Sequence, residues 1–247
     1  MSLKAEKADQ LKEMVKLKTN FFTNVSHELR TPLTLISAPV NDLVSAYPNE
    51  KLLRLVQSNT TKLKNLVNQI LDVQKIDGTT LRPKIEQFDI AQSLRVLVNS
   101  FESLAESRNI ELTYQDNANR FSGYSDRDKI EKIVNNLLSN AFKFTPSGGS
   151  ITVNIVFAEN EFTIEVADTG VGISEEQLPF IFDRFFEDNT NAKGKMSGTG
   201  IGLSMVSQYV KLLQGEVNVK SAVNEGTQFT VRLPAIKETW KDLAEDT

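Results

Sequence analysis

The feature that most restricts how this 247-residue chain can fold is the position of its glycines. All 12 glycines lie at or after Gly78, so the first 77 residues contain none. Because glycine ends helices and forms tight turns, a long stretch without it favours long helices, whereas the remainder has the turns of a mixed fold. We therefore predict two domains, residues 1–77 and 85–236, joined by a linker at 78–84 and followed by a charged tail at 237–247.

Apolar residues of the first domain recur at alternating intervals of four and three residues. The two runs are Leu29, Leu33, Ile36, Val40 and Leu43, and then Leu52, Val56, Leu63, Leu66, Ile70 and Val73, with Asn59 as a polar interruption. This spacing predicts a hairpin of two helices, each with a heptad seam, joined near residues 46–50. One hairpin cannot bury both flanks of its seams, so we expect a second copy to complete a four-helix bundle. The alternative is a monomeric hairpin that packs on the rest of the chain.

The second domain has the pattern of an α+β layered sandwich. Segments 151–157, 162–168, 215–220 and 227–233 alternate apolar and polar residues, as strands do. Helical periodicity occurs around 90–107, 127–144, 174–183 and 200–213. Strands in hairpin succession with interspersed helices predict a sheet with helices on one face.

Composition excludes several kinds of site. The chain has no cysteine and a single histidine, His27, so disulfides, thiolate metal sites and histidine-rich metal centres are excluded. A net charge of −4 provides no basic surface for nucleic acid. No run of about 18 apolar residues is present, so we expect any membrane attachment to come through segments upstream of this sequence.

The predicted helix at 127–144 carries two different faces. Its apolar stripe consists of Ile130, Ile133, Val134, Leu137, Leu138 and Ala141. Asn136, Asn140 and Lys143 lie on another face, within about 60° of one another at 100° per residue. Amide oxygens are hard ligands for Mg²⁺ and lysine is a point positive charge, so this face suits a phosphate chain with its magnesium. The alternative is an ordinary solvated helix face.

Two glycine clusters add to the case for a nucleotide. DTGVGI (168–173) follows a predicted strand, and GTGIGL (198–203) precedes a predicted helix. Glycine lets backbone N–H groups approach a ligand, and a helix N-terminus favours an anion. Asp168, at the strand end, can accept hydrogen bonds from an exocyclic amine such as that of adenine, or simply initiate a turn. Between the clusters, residues 187–197 contain no large aliphatic residue except Met196, which is typical of a mobile lid or of an ordinary surface loop.

Six motifs in this order resemble the sequence boxes of sensor histidine kinases. They are FTNVSHELRTPL (22–33), NLLSNAFKFT (136–145), DTGVGI (168–173), IFDRFF (181–186), GTGIGL (198–203) and EGTQF (225–229). The details of 21–36 and 66–77 look most like the hybrid kinases of Bacteroidetes. The resemblance implies a dimerising four-helix bundle followed by a Bergerat-type α/β sandwich that binds ATP, of the type shared with GyrB and Hsp90-like ATPases.

The resemblance also implies a role for individual residues. His27 corresponds to the phosphoacceptor. Asn136, Asn140, Lys143 and Phe144 correspond to nucleotide-binding residues, with Asn140 as the usual Mg²⁺ ligand. Asp168 corresponds to the carboxylate that recognises adenine, and Gly170 and Gly172 shape that pocket. Gly198, Thr199, Gly200, Ile201, Gly202 and Leu203 correspond to the lid hinge near the phosphates, and Thr227 to the far wall of the pocket.

Two positions depart from the family pattern. Many members have an aromatic–arginine pair after the phenylalanine motif, whereas this chain has Phe186 and Glu187. If that arginine meets the γ-phosphate, then Arg184, Lys193 or Lys195 must replace it, or turnover is slow. Phe144 stands where tyrosine is frequent, which removes only a hydroxyl group.

The heptad register places His27 on the solvent side of its helix. With Leu29 at position d and Leu33 at a, His27 falls at b and Thr31 at f, one turn away. A histidine nucleophile needs this exposure, and the adjacent Glu28 is the candidate general base. The resemblance also implies that Thr31 orients the water molecule that dephosphorylates the response regulator.

These observations predict an ATP-dependent protein-histidine kinase with Mg²⁺ as cofactor. The resemblance implies a homodimer that autophosphorylates His27 and passes the phosphoryl group to a response-regulator receiver domain, separate or fused C-terminally. It also implies the cytoplasmic portion of a bacterial inner-membrane sensor. The alternatives are a catalytically silent nucleotide-gated scaffold, favoured by Glu187, and a gyrase- or Hsp90-like ATPase without a phosphoprotein intermediate.

Overall fold

A computed structural model describes Leu29 and residues 32–47, 50–77, 82–184, 186 and 200–235. The chain divides into two compact units, Met1–Leu81 and Arg82–Thr247. None of the described helices is long and apolar enough to cross a membrane.

The first unit contains the two predicted helices. Residues 32–46 are helical (α1), and Lys51–Asp77 form α2. Among the described side chains, Leu33 and Val40 of α1 and Thr60 and Val67 of α2 are buried. The Gln57 amide donates to Asn41 Oδ1 (2.9 Å), which links the two helices at their polar edge.

Much of the predicted heptad seam is solvent-exposed in a single chain. Six seam residues are between 44% and 72% exposed: Leu29, Ile36, Leu43, Leu52, Val56 and Leu63. Leu35 and Leu55 are also exposed beside them. Proteins in water rarely expose so many neighbouring aliphatic side chains. The hairpin of one chain therefore leaves a large apolar surface uncovered.

The second unit is a two-layer α/β sandwich. Its described helices are Ile90–Asn99 (α3), Glu102–Arg108 (α4), Arg127–Phe144 (α5) and Gly202–Leu212 (α6). Its described strands are Glu86–Asp89 (β1), Glu111–Asp116 (β2), Ser122–Ser125 (β3), Ser150–Phe157 (β4), Glu161–Asp168 (β5), Glu216–Ala222 (β6) and Gly226–Pro234 (β7). Strands β2, β4, β5, β7 and β6 form one sheet in that order, and β1 pairs with β3 in a separate antiparallel ribbon.

Alternation along the strands builds the core on one face of the sheet. The buried apolar side chains of the three central strands are Ile151, Val153, Ile155 and Phe157 of β4, Phe162, Ile164 and Val166 of β5, and Phe229, Val231 and Leu233 of β7. Helices α3, α5 and α6 contact this sheet, and α5 also contacts α6 and α3. Since successive strand side chains point to opposite faces, each strand contributes one apolar and one polar face. The predicted α+β class is confirmed.

Three short strands were missed by the sequence prediction. Strands β1 and β3 have only four residues each, and β2 has the mixed sequence ELTYQD, so none has a clear alternation. Strand β2 pairs with β4 in parallel, whereas the other neighbours in the sheet are antiparallel. The predicted hairpin succession therefore describes only part of the sheet.

Two predicted helices need correction. The helix expected at 90–107 is divided into α3 and α4 at Ser100 and Phe101, where the Ser100 hydroxyl donates to the Leu97 carbonyl and the Phe101 ring stacks on Phe142 of α5 (centroids 5.6 Å apart). The helix expected at 174–183 contains only the 3₁₀ turn Leu178–Phe180. Pro179 has no N–H to donate and disfavours a continuous helix there.

Candidate functional site

Helix α5 is fixed at its first turn by a buried carboxylate. Asp126 Oδ1 accepts from the Lys129 N–H (3.1 Å), and Oδ2 accepts from the Lys84 N–H (2.8 Å). The predicted apolar stripe is buried along its whole length: Ile130, Ile133, Val134, Leu137, Leu138 and Ala141. The capped first turn and the buried stripe set the rotation of α5, which leaves Asn136, Asn140 and Lys143 half-buried on a different face.

The first asparagine of this face lies against the start of α6. Asn136 Nδ2 donates to the Lys132 carbonyl (2.7 Å). A Cβ atom at Gly202, the first residue of α6, would lie 2.9 Å from Asn136 Oδ1. Glycine at this position therefore lets the N-terminus of α6 approach the asparagine amide closely, where free N–H groups favour an anion.

The loop after β5 passes under the other end of α5. The Val171 N–H donates to the Phe144 carbonyl (3.3 Å), and a Cβ at Gly170 would lie 2.6 Å from that same carbonyl oxygen. The Gly170 N–H donates to Asp168 Oδ1 (2.8 Å). The structure therefore brings together Asp168, Gly170 and Phe144, which the resemblance assigns to one nucleotide site.

The far side of the loop is held by the β6–β7 hairpin. The Ile173 N–H donates to Ser221 Oγ (2.8 Å), and the Ser221 hydroxyl donates to the Gly226 carbonyl (2.7 Å). Because that proton is committed, Thr227 Oγ1 is the donor in its 2.9 Å contact with Ser221 Oγ. Thr227 is therefore linked to the loop through Ser221, a residue that no sequence pattern singled out.

Two glycines of this region have positive φ and no room for a side chain. Gly172 has φ of 69°, and a Cβ there would lie 1.9 Å from the Ala222 carbonyl oxygen. Gly226 has φ of 93°, and its Cβ would lie 1.9 Å from the Asp168 carbonyl oxygen. Gly226 was not singled out by the sequence analysis, although its place directly before Thr227 in EGTQF is the signal that could have found it.

Burial shifts the titration of the Asp168 carboxyl group at the end of β5. Burial raises the pKa of Asp168 above its usual value, and the hydrogen bonds from the Gly170 and Thr227 N–H groups oppose that rise without cancelling it. A half-buried carboxylate at the end of β5 can accept a hydrogen bond from an amino group of a ligand. It is the only sequence-predicted carboxylate among the described site residues.

The cationic and hinge residues occupy different parts of the site. Lys143 Nζ lies 4.7 Å from the ring centroid of the adjacent Phe144, whose side chain is exposed. Arg184 lies against α6: with the Gln208 amide turned so that its oxygen faces the guanidinium, Nε and Nη2 donate to it at 3.1 and 2.5 Å. Gly200 has φ of 62°, Ile201 is buried and Leu203 is half-buried.

Several predicted residues lie outside the described part of the chain. They are the catalytic candidates His27, Glu28 and Thr31, the hinge candidates Gly198 and Thr199, and the alternative cations Lys193 and Lys195.

The chain therefore consists of a helical hairpin and an α/β sandwich, in which Gly170 and Gly202 allow backbone segments to approach α5 closely; we call this arrangement the cradle around α5. Residues 17–79 match the His Kinase A (phospho-acceptor) domain. Residues 125–237 match the histidine kinase-, DNA gyrase B- and HSP90-like ATPase. The two matches lie in separate units and together cover most of the chain, which belongs to the histidine kinases.

Curated relatives agree with this family. Hybrid signal transduction histidine kinase D of Dictyostelium discoideum is 35% identical over 235 residues, which cover 92% of this chain and 15% of that protein. A histidine kinase of Formosa agariphila is 34% identical over 241 residues, 95% of this chain and 18% of that protein; it gives limited support to the narrower resemblance to Bacteroidetes kinases. The chain therefore spans less than a fifth of the length of these two relatives.

A solved structure shares the fold. Full-length ShkA in complex with AMPPNP has a TM-score of 0.71 and 23% identity, and the match covers 87% of this chain and 46% of that one. At this level of identity the likeness concerns the fold.

Two positive-φ glycines provide a matched test of the loop geometry. At Gly172 an added Cβ would collide with the Ala222 carbonyl, whereas at Gly148, with φ of 85°, nothing lies within 4 Å. We expect Gly148→Ala to cost about 1–2 kcal/mol from backbone strain alone. Gly172→Ala should cost more and should abolish binding of a fluorescent ATP analogue, as measured by urea unfolding and titration. Equal behaviour of the two variants would contradict the described packing of the loop.

Proposed function

We propose that this chain is an ATP-dependent protein-histidine kinase that autophosphorylates His27 and passes the phosphoryl group to an aspartate of a response regulator. The observation that carries the proposal is the cradle around α5. Gly170 lies under the Phe144 carbonyl at one end of the asparagine face, and Gly202 lies against Asn136 nearer the other. Both close approaches fit a ligand that lies along this face.

In this proposal the adenine lies at Asp168 and the phosphates lie along α5. The Asp168 carboxylate accepts from the adenine amino group, Gly170 and Gly172 shape the pocket, and Thr227 forms its far wall. Lys143 is the cation near the phosphates. The AMPPNP bound to ShkA supports an adenine nucleotide as the ligand, since the two proteins share this fold.

The phosphates and their metal lie nearer the start of α6. Asn140 supplies an amide oxygen to Mg²⁺, which would neutralise phosphate charge when bound. Asn136 lies beside the free N–H groups at the α6 N-terminus. Gly198, Thr199, Gly200, Ile201, Gly202 and Leu203 form the hinge of the segment that closes over the nucleotide.

The proposed reaction needs positioning and charge neutralisation more than covalent help from the protein. One nitrogen of neutral His27 attacks the γ-phosphorus. The bond from that phosphorus to the β–γ bridging oxygen breaks, and ADP leaves. Glu28 accepts the proton from the other imidazole nitrogen. In a separate phosphatase reaction, Thr31 orients a water molecule that attacks the phosphorus of the regulator's phosphoaspartate, which breaks the bond to the aspartate oxygen and releases inorganic phosphate.

The exposed heptad seam supports a homodimer. Six aliphatic seam residues are about half exposed or more in one chain, and a second copy of the hairpin would cover them in a four-helix bundle. We propose residues 1–77 as the dimerising phosphotransfer domain, 78–84 as a linker, 85–236 as the ATP-binding domain and 237–247 as a tail. The receiver domain is a separate protein or is fused C-terminally, and membrane attachment comes through upstream segments of a bacterial inner-membrane sensor.

Replacing the single histidine tests the proposed acceptor. With γ-labelled ATP and Mg²⁺, the wild-type protein should acquire label that is labile in acid and stable in alkali, and His27→Gln should acquire none. Binding of ADP by His27→Gln should equal that of the wild type, because the nucleotide site lies in the other unit.

Label that persists in His27→Gln would refute the proposed acceptor. Absence of label in the wild type, with ATP bound and not hydrolysed, would favour a silent scaffold. ATP hydrolysis without any phosphoprotein would favour a gyrase- or Hsp90-like ATPase.

The raised pKa of Asp168 predicts acid-sensitive nucleotide binding. Burial is its main cause, so this carboxyl is protonated at a higher pH than an exposed one and loses its anionic acceptor as the pH falls. A carboxyl with a raised folded-state pKa contributes stability below its unfolded pKa that is lost as pH rises through the folded value. Acidification therefore weakens binding without destabilising the fold through this group.

Calorimetric titration with ADP between about pH 5 and pH 7.5 measures this effect. Asp168→Asn should bind weakly throughout, because its amide presents a donor to the adenine amine. The ratio of the wild-type affinity to the variant affinity should fall as the pH decreases. Protonation of the ADP phosphates affects both affinities equally, so it does not change this ratio. A ratio independent of pH would contradict the proposed role of the carboxylate.

A further inference from the structure

A compact cluster of charges lies on α5 one turn before Asn136. Lys129 Nζ and Lys132 Nζ both contact Asp128 Oδ2, at 2.5 and 3.2 Å. Both ammonium groups also lie over the ring of Tyr209 from α6, at 5.6 and 5.8 Å from its centroid. Two lysines share one carboxylate, so these three charged groups have a net charge of +1.

The two lysines differ in their access to solvent. The Lys129 side chain is 11% exposed, and the Lys132 side chain is 37% exposed. Lys129 is therefore held between α5 and α6 as part of their packing. Lys132 can exchange its carboxylate partner for another anion at its open side, since its four-carbon stem is flexible.

In the proposed orientation of the nucleotide, its phosphate end lies toward Lys132. The loop of Asp168 and Gly170 meets α5 at Phe144, its last residue, so the base end of the ligand lies at the C-terminus of the helix. The phosphates then extend along the asparagine face toward Asn136. At 1.5 Å per residue, Lys132 is about 6 Å beyond Asn136 in the same direction.

The side chain of Asn136 brings this site and the cluster into contact. Its Nδ2 donates to the carbonyl of Lys132 itself (2.7 Å), because helical side chains lean toward the preceding turn. A phosphate at the Asn136 amide would therefore lie beside the stem of Lys132. On the helical wheel, Lys132 lies about 40° from Asn136, on the side of Lys143.

We propose that Lys132 binds the terminal phosphate of the nucleoside triphosphate. This inference rests on the proposed function, since it requires ATP in the cradle along α5. When ATP binds, the Lys132 ammonium moves from Asp128 to the γ-phosphate, and Asp128 keeps its contact with Lys129. Lys132 then supplies positive charge in a chain where Glu187 follows the phenylalanine motif.

The test compares a non-hydrolysable ATP analogue with ADP, because only the former has a terminal phosphate in this position. Calorimetric titrations use the full chain with Mg²⁺. For Lys132→Gln we expect about a 10-fold loss of affinity for the ATP analogue, the size of one charge-assisted hydrogen bond. Affinity for ADP should be unchanged. Lys132→Arg should restore affinity for the ATP analogue, because it keeps the charge.

Lys211→Gln is the matched control, since Lys211 is an exposed lysine in the last turn of α6, away from the asparagine face. It should leave both affinities unchanged. Equal affinities of wild type and Lys132→Gln for the ATP analogue, or an equal loss for both nucleotides, would overturn the assignment of Lys132. If the wild-type protein binds neither nucleotide, the proposed function itself fails. That result is distinguishable from the two outcomes above, in which the wild-type protein still binds nucleotide.

Discussion

The hydrogen bond from the Val171 N–H to the Phe144 carbonyl is the contact on which the candidate site depends. It ties the loop after β5 to the last residue of α5, and it forms only because Gly170 has no side chain to collide with that carbonyl. The opposite end of α5 is fixed by the Asp126 cap. With both ends held, the orientation of the asparagine face is determined by the buried stripe beneath it.

This arrangement explains why the site is made from segments that are distant in the sequence. One glycine admits the loop to the C-terminal end of α5, and another admits the N-terminus of α6 to its middle. The β6–β7 hairpin then holds the loop from behind through the hydroxyl of Ser221. Each of these contacts depends on a backbone group or a small residue.

The sequence was sufficient where a pattern is local and long. The periodicity of α5 predicted its bounds, and alternation predicted β4 and β5. The glycines of DTGVGI were singled out because glycine permits close approach of the backbone, and the structure has such approaches at Gly170 and Gly172. The strands β1 and β3 are too short for a period to appear, and Pro179 prevented the helix expected around it.

The sequence was insufficient where a role depends on tertiary contacts. Ser221 has no motif of its own, and its importance comes from the loop that donates to it. Lys132 was not singled out because its position beside Asn136 and Tyr209 requires both the lean of helical side chains and the packing of α6 on α5. The exposed seam of the hairpin was predicted as a seam, and the structure adds that one chain leaves much of it uncovered.

The central claim is that the loop 168–173, the start of α6 and the face of α5 form one nucleotide site. Hydrogen–deuterium exchange of the full chain, with and without Mg²⁺ and a non-hydrolysable ATP analogue, tests it most directly. We expect binding to slow exchange in 168–173 and 200–206 and to cause no change in the separate cleft lined by Glu106, Asn109, Glu111 and Gly148. Protection of that cleft, with 168–173 and 200–206 unaffected, would contradict the account.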